Sequence, residues 1–598
     1  MGKQTAGPAD HFAIPPGGAS PAVRRAPSGA FGERSAAGTT RGRLPVAFRP
    51  RPSRTPARSH PVPEDAATPD ELAAFLETPG SYPHTPDDVE CVATHLSLVA
   101  LAGDRVYKVK KPVDLGFADF STLEKRRHFC EEEVRLNRRL CAGTYEGVVA
   151  IRRDAGGELT FADTGGAPVA YAVEMKRLPE GGFLDDRIDA GDAGEDELEQ
   201  VAQRLAAFYR EREPAPEVAE WGRVENLRRS TDENFEQTEA HAGTLLPEPA
   251  FEALRYYTNR FLDARAALFA RRRAEGRVLE GHGDLRLEHV HLAPPGDDRD
   301  EDVCIYDCIE FSERLRAVDG AGDVAFLAMD LDFHEKPGLA LFFARRMAEL
   351  LNDPELPALI DFYKTYRAHV HAKVDAMQAG DEDLSPEKRA EQRERAQAHY
   401  RQALQYATTG SGPAVIAVMG RVGTGKSTQA RALAEALGSE RVRSDRVRKQ
   451  IAGVSPRERP DEATRERLYA AEMTRKTYAA LTDRALEAAE AKRPIVLDAT
   501  FGKRAHRDAL RDALAEAGSR LPHAFLELTA PDDAIKERLE AREGAPQLSD
   551  ARRADFQMLA EGYQAPTALE DAFHVTASAD ADREATTTAI LKHLVRLL

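Results

Sequence analysis

No apolar run among the 598 residues approaches 18 in length, and 31% of the residues are charged, so no membrane span is expected. The start lacks the apolar segment of a secretion signal. Cysteine is scarce: Cys91, Cys130, Cys141, Cys304 and Cys308 are odd in number and scattered. That argues against a disulfide framework and for a reducing cytoplasm, the expected location. Cys304 and Cys308 lie in a strand-like run, which sets them on one face but roughly 13 Å apart, too far to share a metal ion. There is no internal repeat, second Walker-type module, sensor-arginine series or long coiled coil, so a mechanical ring ATPase is disfavoured.

The net charge is −17 and uneven. Residues 1–60 carry ten Lys/Arg and two Asp/Glu, leaving the remainder near −25. An acidic body favours solubility and disfavours broad nucleic-acid binding. Residues 1–66 are rich in Pro, Gly, Ser, Ala and Arg with little apolar periodicity and read as a disordered tail. Order is expected from Thr68-Pro-Asp-Glu-Leu, an N-cap followed by proline at the first helical position.

The strongest signal lies near residue 420. Ala414 to Met419 is an uncharged, strand-like run leading into Gly420-x-x-x-x-Gly425-Lys426-Ser427, the full phosphate-binding loop pattern. Gly420, Gly423, Thr424, Gly425 and Thr428 belong to the loop whose backbone N–H groups converge on an anion. Lys426 reaches the terminal phosphates, the Ser427 hydroxyl can hold Mg²⁺, and a helix from Gln429 to Leu437 turns its positive end on the phosphates. ATP and Mg²⁺ are therefore the expected cofactors. Strands at 414–419, 440–444, 494–498, 523–528 and 572–576 alternate with helical runs, the signature of a parallel sheet covered on both faces.

These C-terminal residues resemble small P-loop kinases, a group that includes gluconate and shikimate kinases, chloramphenicol phosphotransferase, zeta toxins and polynucleotide kinases. The resemblance makes Asp445, at the end of the second strand, the candidate base, with Arg448 holding an anionic group. A plain helix N-cap at Ser444 or Asp445 is the competing reading. Asp498 ends an apolar strand at the Walker B position, where a carboxylate reaches Mg²⁺ through water. Arg504 and Arg507 are placed to grip substrate. A Gly/Pro break from Glu543 to Asp550 reads as a mobile lid, with Arg538, Arg542 and Arg552 as candidates for offsetting transferred-phosphate charge.

A second constellation lies upstream. Gly281-His282-Gly283-Asp284 sits on a loop, and Ile305-Tyr306-Asp307 places another acid after an apolar strand. Two carboxylates bordering one hairpin suit phosphoryl transfer, one taking the hydroxyl proton and the other holding Mg²⁺. Residues 80–335 resemble the aminoglycoside phosphotransferase family, a branch of the protein-kinase-like fold. The resemblance makes Asp284 the base and Asp307 a magnesium ligand. It also implies a phosphate-contacting Lys108, with Lys110 on the same face as the alternative, an ion-pair partner at Glu133, and an adenine-binding hinge at Glu174-Met175-Lys176. The sequence departs from the family at two places. His289 stands where the family has a magnesium-binding Asn, and Arg286 replaces the usual His or Gly. A neutral imidazole is a poor ligand for Mg²⁺. With His289 in the metal set, either Glu288 or Asp307 carries more of the ion or this half transfers phosphate poorly.

The expected organisation is multi-domain: a tail over 1–66, an α+β protein-kinase-like (aminoglycoside phosphotransferase) fold over 67–335, a helical extension and linker over 336–410, and an α/β P-loop NTPase with a parallel sheet over 411–598. Thr408 to Pro413 reads as a short flexible break. The expected function is an ATP-dependent, bifunctional phosphotransferase acting on a hydroxyl of a small molecule. The alternatives are an ATP-binding regulator or toxin-like protein whose kinase-like lobe only binds ligand, and a nucleic-acid 5′-hydroxyl kinase. Oligomeric state is left open.

Overall fold

The computed structural model describes residues 67–597 apart from positions 95, 117, 214, 294–301, 383, 456, 457, 459, 518–521, 543–560, 568–573 and 579–581. The tail, the lid from Glu543 to Asp550 and Arg552 lie outside the described residues, as does the side chain of Arg542. Among the described residues no helix is long and apolar enough to cross a membrane.

The described residues open on a capped helix. Thr68 caps the helix Pro69–Leu76 in a reciprocal box: Glu71 N–H donates to Thr68 Oγ1 (3.2 Å) and Thr68 N–H to Glu71 Oε2 (2.9 Å). A six-stranded antiparallel sheet follows, made of β1 (Val89–Ala93), β2 (Ser97–Ala102), β3 (Arg105–Lys110), β4 (Tyr145–Arg153), β5 (Leu159–Thr160) and β6 (Pro168–Lys176). Its order is β1-β2-β3-β6-β4-β5. The alternation of β3 sorts its side chains. Tyr107 and Val109 join the apolar cluster with Leu72, Phe75 and Leu76, while Lys108 and Lys110 point to the face covered by the helix Leu123–Asn137. The β1–β2 hairpin turns without Gly or Pro because Thr94 Oγ1 accepts from Ser97 N–H (2.9 Å).

Two short hairpin-like pairs follow: β7 (Val278–Glu280) with β10 (Ala317–Asp319), and β8 (Val290–Leu292) with β9 (Val303–Ile305). The helix Gly320–Phe333 is buried from Gly320 to Leu331. Helices Pro337–Leu350, Pro357–Ala379 and Pro386–Thr409 each start on proline at the first helical position. The break expected at 408–413 is pinned rather than flexible. Ser411 N–H donates to Asp361 Oδ1 (3.0 Å), Lys364 Nζ donates to Ser411 Oγ (3.1 Å), and Gly410, at φ 75°, leaves no room for a Cβ beside Asp361.

The last sheet is wholly parallel, with β11 (Val415–Met419), β12 (Glu440–Arg443), β13 (Ile495–Asp498), β14 (His523–Thr529) and β15 (His574–Ser578) in the order β12-β13-β11-β14-β15. Seven of its core residues, Ile416 and Val418 among them, belong to one apolar cluster that also holds Leu205, Phe326 and Tyr400 from earlier in the chain. The C-terminal helix Arg583–Leu597 packs against Glu248–Ala264.

One expectation from cysteine usage is overturned. Cys141 and Cys304 form a disulfide, with Cα atoms 4.6 Å apart, while Cys91, Cys130 and Cys308 are free thiols. A pairing across 163 residues leaves no local trace in a sequence, since it arises only when β9 packs beside the end of the Leu123–Asn137 helix.

Two charge assemblies fix this body, one buried and one partly exposed. The Arg272 guanidinium is 1% exposed and bonds both oxygens of Asp319 (2.6 and 2.7 Å) and of Asp353 (2.7 and 2.8 Å). Glu280 receives Arg135 (2.9 Å), Arg139 (2.9 Å) and Arg316 (3.0 Å). Burial would raise the Glu280 carboxyl, but the three guanidiniums, Arg135 first, hold it down at about 2. Arg272→Met strands two buried carboxylates and is expected to cost about 3–5 kcal/mol, read as a lowered urea midpoint. Because the folded value of Glu280 is depressed, its contribution is present above its ordinary value of 4.5 and is lost as pH falls toward 2. Glu280→Gln should therefore flatten the acid limb of the stability–pH curve, removing on the order of 1–2 kcal/mol between those values once solvent screening at the exposed Arg135 is counted.

Candidate active sites

The phosphate loop follows from strand register. Val418 of β11 lies beside Asp498 of β13, and Asp498 lies beside Arg443 of β12. Parallel pairing thus brings the loop, the Walker B carboxylate and the end of β12 to one edge. Gly420, Gly423 and Gly425 all take positive φ (132°, 86° and 93°). A Cβ on Gly420 would collide with the Leu528 carbonyl, and one on Gly423 would come within 2.7 Å of Ile535 Cγ2. The glycines are therefore required twice, for conformation and for close approach. The helix starts at Lys426 rather than Gln429, which places Lys426, Ser427 and Thr428 in its first turn.

Lys426 Nζ lies across the loop and donates to Arg421 O (2.8 Å); Thr424 Oγ1 donates to the same carbonyl (2.8 Å). Ser427 Oγ donates to Asp498 Oδ1 (3.2 Å). Asp498 Oδ2 is buried without a hydrogen bond, 3.6 Å from Arg443 Nε. Burial pushes the Asp498 carboxyl up, against the pull of Ser427, Lys426, Arg443 and Arg441. A hydroxyl and a carboxylate with one open oxygen at the head of a parallel strand are a donor set that fits Mg²⁺.

Asp445 sits in the first turn of the helix Ser444–Ile451, whose N-cap is Arg443 and which has no side-chain cap. The capping role is thus unused. Asp445 Oδ1 instead accepts from Arg448 Nη1 (3.2 Å), and the Arg448 guanidinium lies over the Tyr469 ring at 4.7 Å. Arg507 does not grip substrate: it is buried, donating to the Phe501 and Gln564 carbonyls (2.9 Å each). Arg504 lies near the surface, 3.3 Å from Asp508. Arg538 is half-buried on the helix Asp532–Arg542, which Arg421 ties to the loop through Asp532 (2.7 Å). Arg421 and Arg443 escaped the sequence reading. The second stands two residues before Asp445, a position that the strand register alone turns toward Asp498.

The upstream constellation also assembles. Asp323, on the buried helix Gly320–Phe333, accepts from His282 N–H (2.7 Å), Gly283 N–H (3.0 Å) and the Tyr209 hydroxyl (2.8 Å). Gly283, at φ 85°, packs against the Leu315 carbonyl, where a Cβ would stand 2.8 Å away. His282 Nε2 donates to Tyr306 O (2.9 Å), and Asp284 N–H donates to His282 Nδ1 (3.2 Å). Burial lowers the His282 imidazole to about 4, so it stays neutral as this bonding demands. Asp284 is thereby presented by a fully braced loop. Asp323 was missed; its signal is an acid inside the otherwise apolar run Val324 to Met329 and its flanks.

Lys108 Nζ bonds Asp307 Oδ1 and Glu133 Oε1, both at 2.8 Å. Lys110 Nζ bonds the other oxygen of Glu133 (2.7 Å) and Glu310. The Lys108 side chain is 17% exposed and that of Lys110 1%, so Lys108 is the one that can meet a ligand. Burial would raise the Asp307 carboxyl, but Lys108 beside it holds it well below the usual range. Met175 shares the Lys108 face of the sheet, while Glu174 turns to the other side, bonding Arg105 (2.6 Å) and Tyr107 (2.9 Å). His289 Nδ1 lies 2.7 Å from Asp284 O and 3.6 Å from Asp284 Oδ2.

Residues 415–566 match the model of an AAA domain family. Over 31% of the chain the fold is similar to a gluconokinase from Sinorhizobium meliloti 1021 (22% identity, 93% of that chain, TM-score 0.23) and to Chaetomium thermophilum Kti12 in complex with ADP-AlF3 (19% identity, 98% of that chain, TM-score 0.24). Uncharacterized proteins of Mycobacterium bovis and Mycobacterium tuberculosis are 31% identical over 458 residues, 75% of this chain and 86% of theirs. At that identity and coverage the chain belongs to the family of these mycobacterial proteins, and it carries a P-loop domain of the AAA type in its C-terminal part.

Proposed function

We propose that the protein is an ATP-dependent phosphotransferase acting on a hydroxyl of a small molecule, with the P-loop site as its principal catalyst. The observation that carries this reading is the Ser427–Asp498 pair, 3.2 Å apart beside Lys426, with one Asp498 oxygen left open. Ser427 and Asp498 would hold Mg²⁺, which would supply positive charge against that of the terminal phosphates. Lys426 adds a cation at the terminal phosphates, and the loop N–H groups orient them. Asp445, at the adjoining strand end, takes the proton from the acceptor hydroxyl at its carboxylate, and Arg448 holds an anionic part of the acceptor. Arg538 and Arg542 supply further cations on the neighbouring helix. An acidic body of about −25 beyond residue 60 favours a small acceptor over a nucleic-acid end.

The Asp284 loop serves as a second phosphoryl-transfer site in this reading, with Asp284 as base, Lys108 and Glu133 as the phosphate-holding pair and Met175 at the nucleotide base. A second reading has support of its own. Lys108 and Lys110 are already ion-paired with the three carboxylates Glu133, Asp307 and Glu310. A closed network of that kind suits a lobe that senses a ligand without reacting.

Labelled ATP with panels of sugars, antibiotics, nucleosides and 5′-hydroxyl oligonucleotides tests both. Lys426→Ala is expected to abolish the main transfer activity. Asp445→Asn should lower kcat by about 10²–10⁴-fold with little change in KM for ATP. Asp284→Ala should remove one acceptor activity and spare the other; if every activity survives it, the Asp284 lobe is a binding module. Label on oligonucleotide ends would overturn the small-molecule acceptor.

A further inference from the structure

One buried guanidinium is used by neither site. Arg367, on the helix Pro357–Ala379, has a side chain only 8% exposed. Arginine carries five N–H donors and no acceptor, and such donors are seldom buried unmet. Yet among the described residues Arg367 Nε has no hydrogen-bond partner, and Asp323 Oδ1 stands 4.0 Å from Nη2, beyond hydrogen-bond reach. Aromatic rings hold the group by its face, with the Phe326 centroid at 4.5 Å and that of Tyr366 at 5.7 Å. Stacking engages the face of the guanidinium and leaves its in-plane N–H edges for acceptors. Arg367 lines a cavity of about 50 Å³, together with Trp221, Ser230, Arg314, Tyr363 and Tyr366. Asp319 is the one carboxylate in this wall, and both its oxygens are bonded to Arg272. Arg314 adds a second guanidinium, paired with Glu233 through Nη1 (2.8 Å). The wall is thus rich in donors, and its acid is already spent. The cavity borders the His-Gly-Asp loop, since Leu315, also in the wall, carries the carbonyl packed against Gly283.

We propose that this cavity is an anion site that seats one phosphate group, free or at the end of a small molecule, on Arg367 and Arg314. Guanidinium forks match phosphate oxygens in pairs, and their weak hydration suits them to a desolvated site. A carboxylate offers two oxygens and a phosphate at least three. The two guanidiniums, with the hydroxyl-bearing Ser230, Tyr363 and Tyr366, supply donors for the larger number. A single water needs about 10–15 Å³ of such room, so the cavity takes a group of a few heavy atoms and excludes a whole nucleotide. That sets it apart from the two nucleotide sites proposed above, and binding there does not depend on either of them.

The chain has a single tryptophan, and Trp221 lies in the cavity wall, so its emission reports occupancy locally. The full chain carrying Lys426→Ala, which weakens phosphate binding at the P-loop, is titrated with inorganic phosphate at constant ionic strength, with chloride as the control. Equilibrium dialysis of labelled phosphate runs in parallel, so that a silent tryptophan is not mistaken for an empty cavity. The expected result is saturable phosphate binding that shifts Trp221 emission, is absent with chloride, and weakens at least tenfold in both Arg367→Gln and Arg314→Gln. Arg314 is partly exposed, so its variant keeps the test decisive where Arg367→Gln fails to fold. Absence of saturable binding by dialysis overturns the proposal. So does binding that is unchanged in Arg314→Gln, or acetate binding more tightly than phosphate. Glycerol 3-phosphate binding as tightly as phosphate assigns the site to the end of a larger molecule, and its exclusion assigns it to the free ion.

Discussion

A charge taken out of water must be met by an opposite charge or by directed hydrogen bonds, and both candidate sites are built by that rule. Asp323 is fully buried, and its two oxygens are spent on backbone N–H groups of the His-Gly-Asp loop and on Tyr209. Arg507 does the reciprocal job for the P-loop sheet, donating to carbonyls at Phe501 and Gln564. Neither residue touches a reacting group. Each converts desolvated charge into loop geometry, so removal of either strands dipoles instead of merely losing a contact.

The two sites differ in how much of their charge is committed. At the P-loop, one oxygen of Asp498 is without a hydrogen bond, and the Lys426 ammonium lies across the loop on the Arg421 carbonyl. In the upstream site every lysine and nearly every carboxylate oxygen already has a partner. The first arrangement is shaped for an incoming polyanion. The second already pairs its two lysines with three carboxylates.

Much of this was legible in the residues. The phosphate loop is written in contiguous residues whose glycines have a local reason to exist, and the five parallel strands fall within two residues of their expected bounds. Thr68 and Pro69 announced the first ordered helix because a capping box is local. What stayed hidden depends on neighbours distant in sequence. Arg507 looks like any helical arginine until Phe501 and Gln564 close over it. The Thr94 turn is made by a side chain rather than by a turn-forming residue. The Cys141–Cys304 bond joins segments 163 residues apart.

The pinned linker has a mechanical meaning. The helix Pro357–Ala379 carries Asp361, which holds Ser411 just ahead of β11, and Arg367, 4.0 Å from the Asp323 carboxylate that holds the His-Gly-Asp loop. Six residues of helix separate these two supports, about 9 Å along one axis. An α-helix is stiff over that length, so it acts as a common beam, with one loop held near its start and the other supported from its middle. Displacing the root of the phosphate-binding strand therefore loads the same member that supports Asp323 and, through it, the His-Gly-Asp loop, so strain raised at one candidate site has a short, continuous solid path to the other.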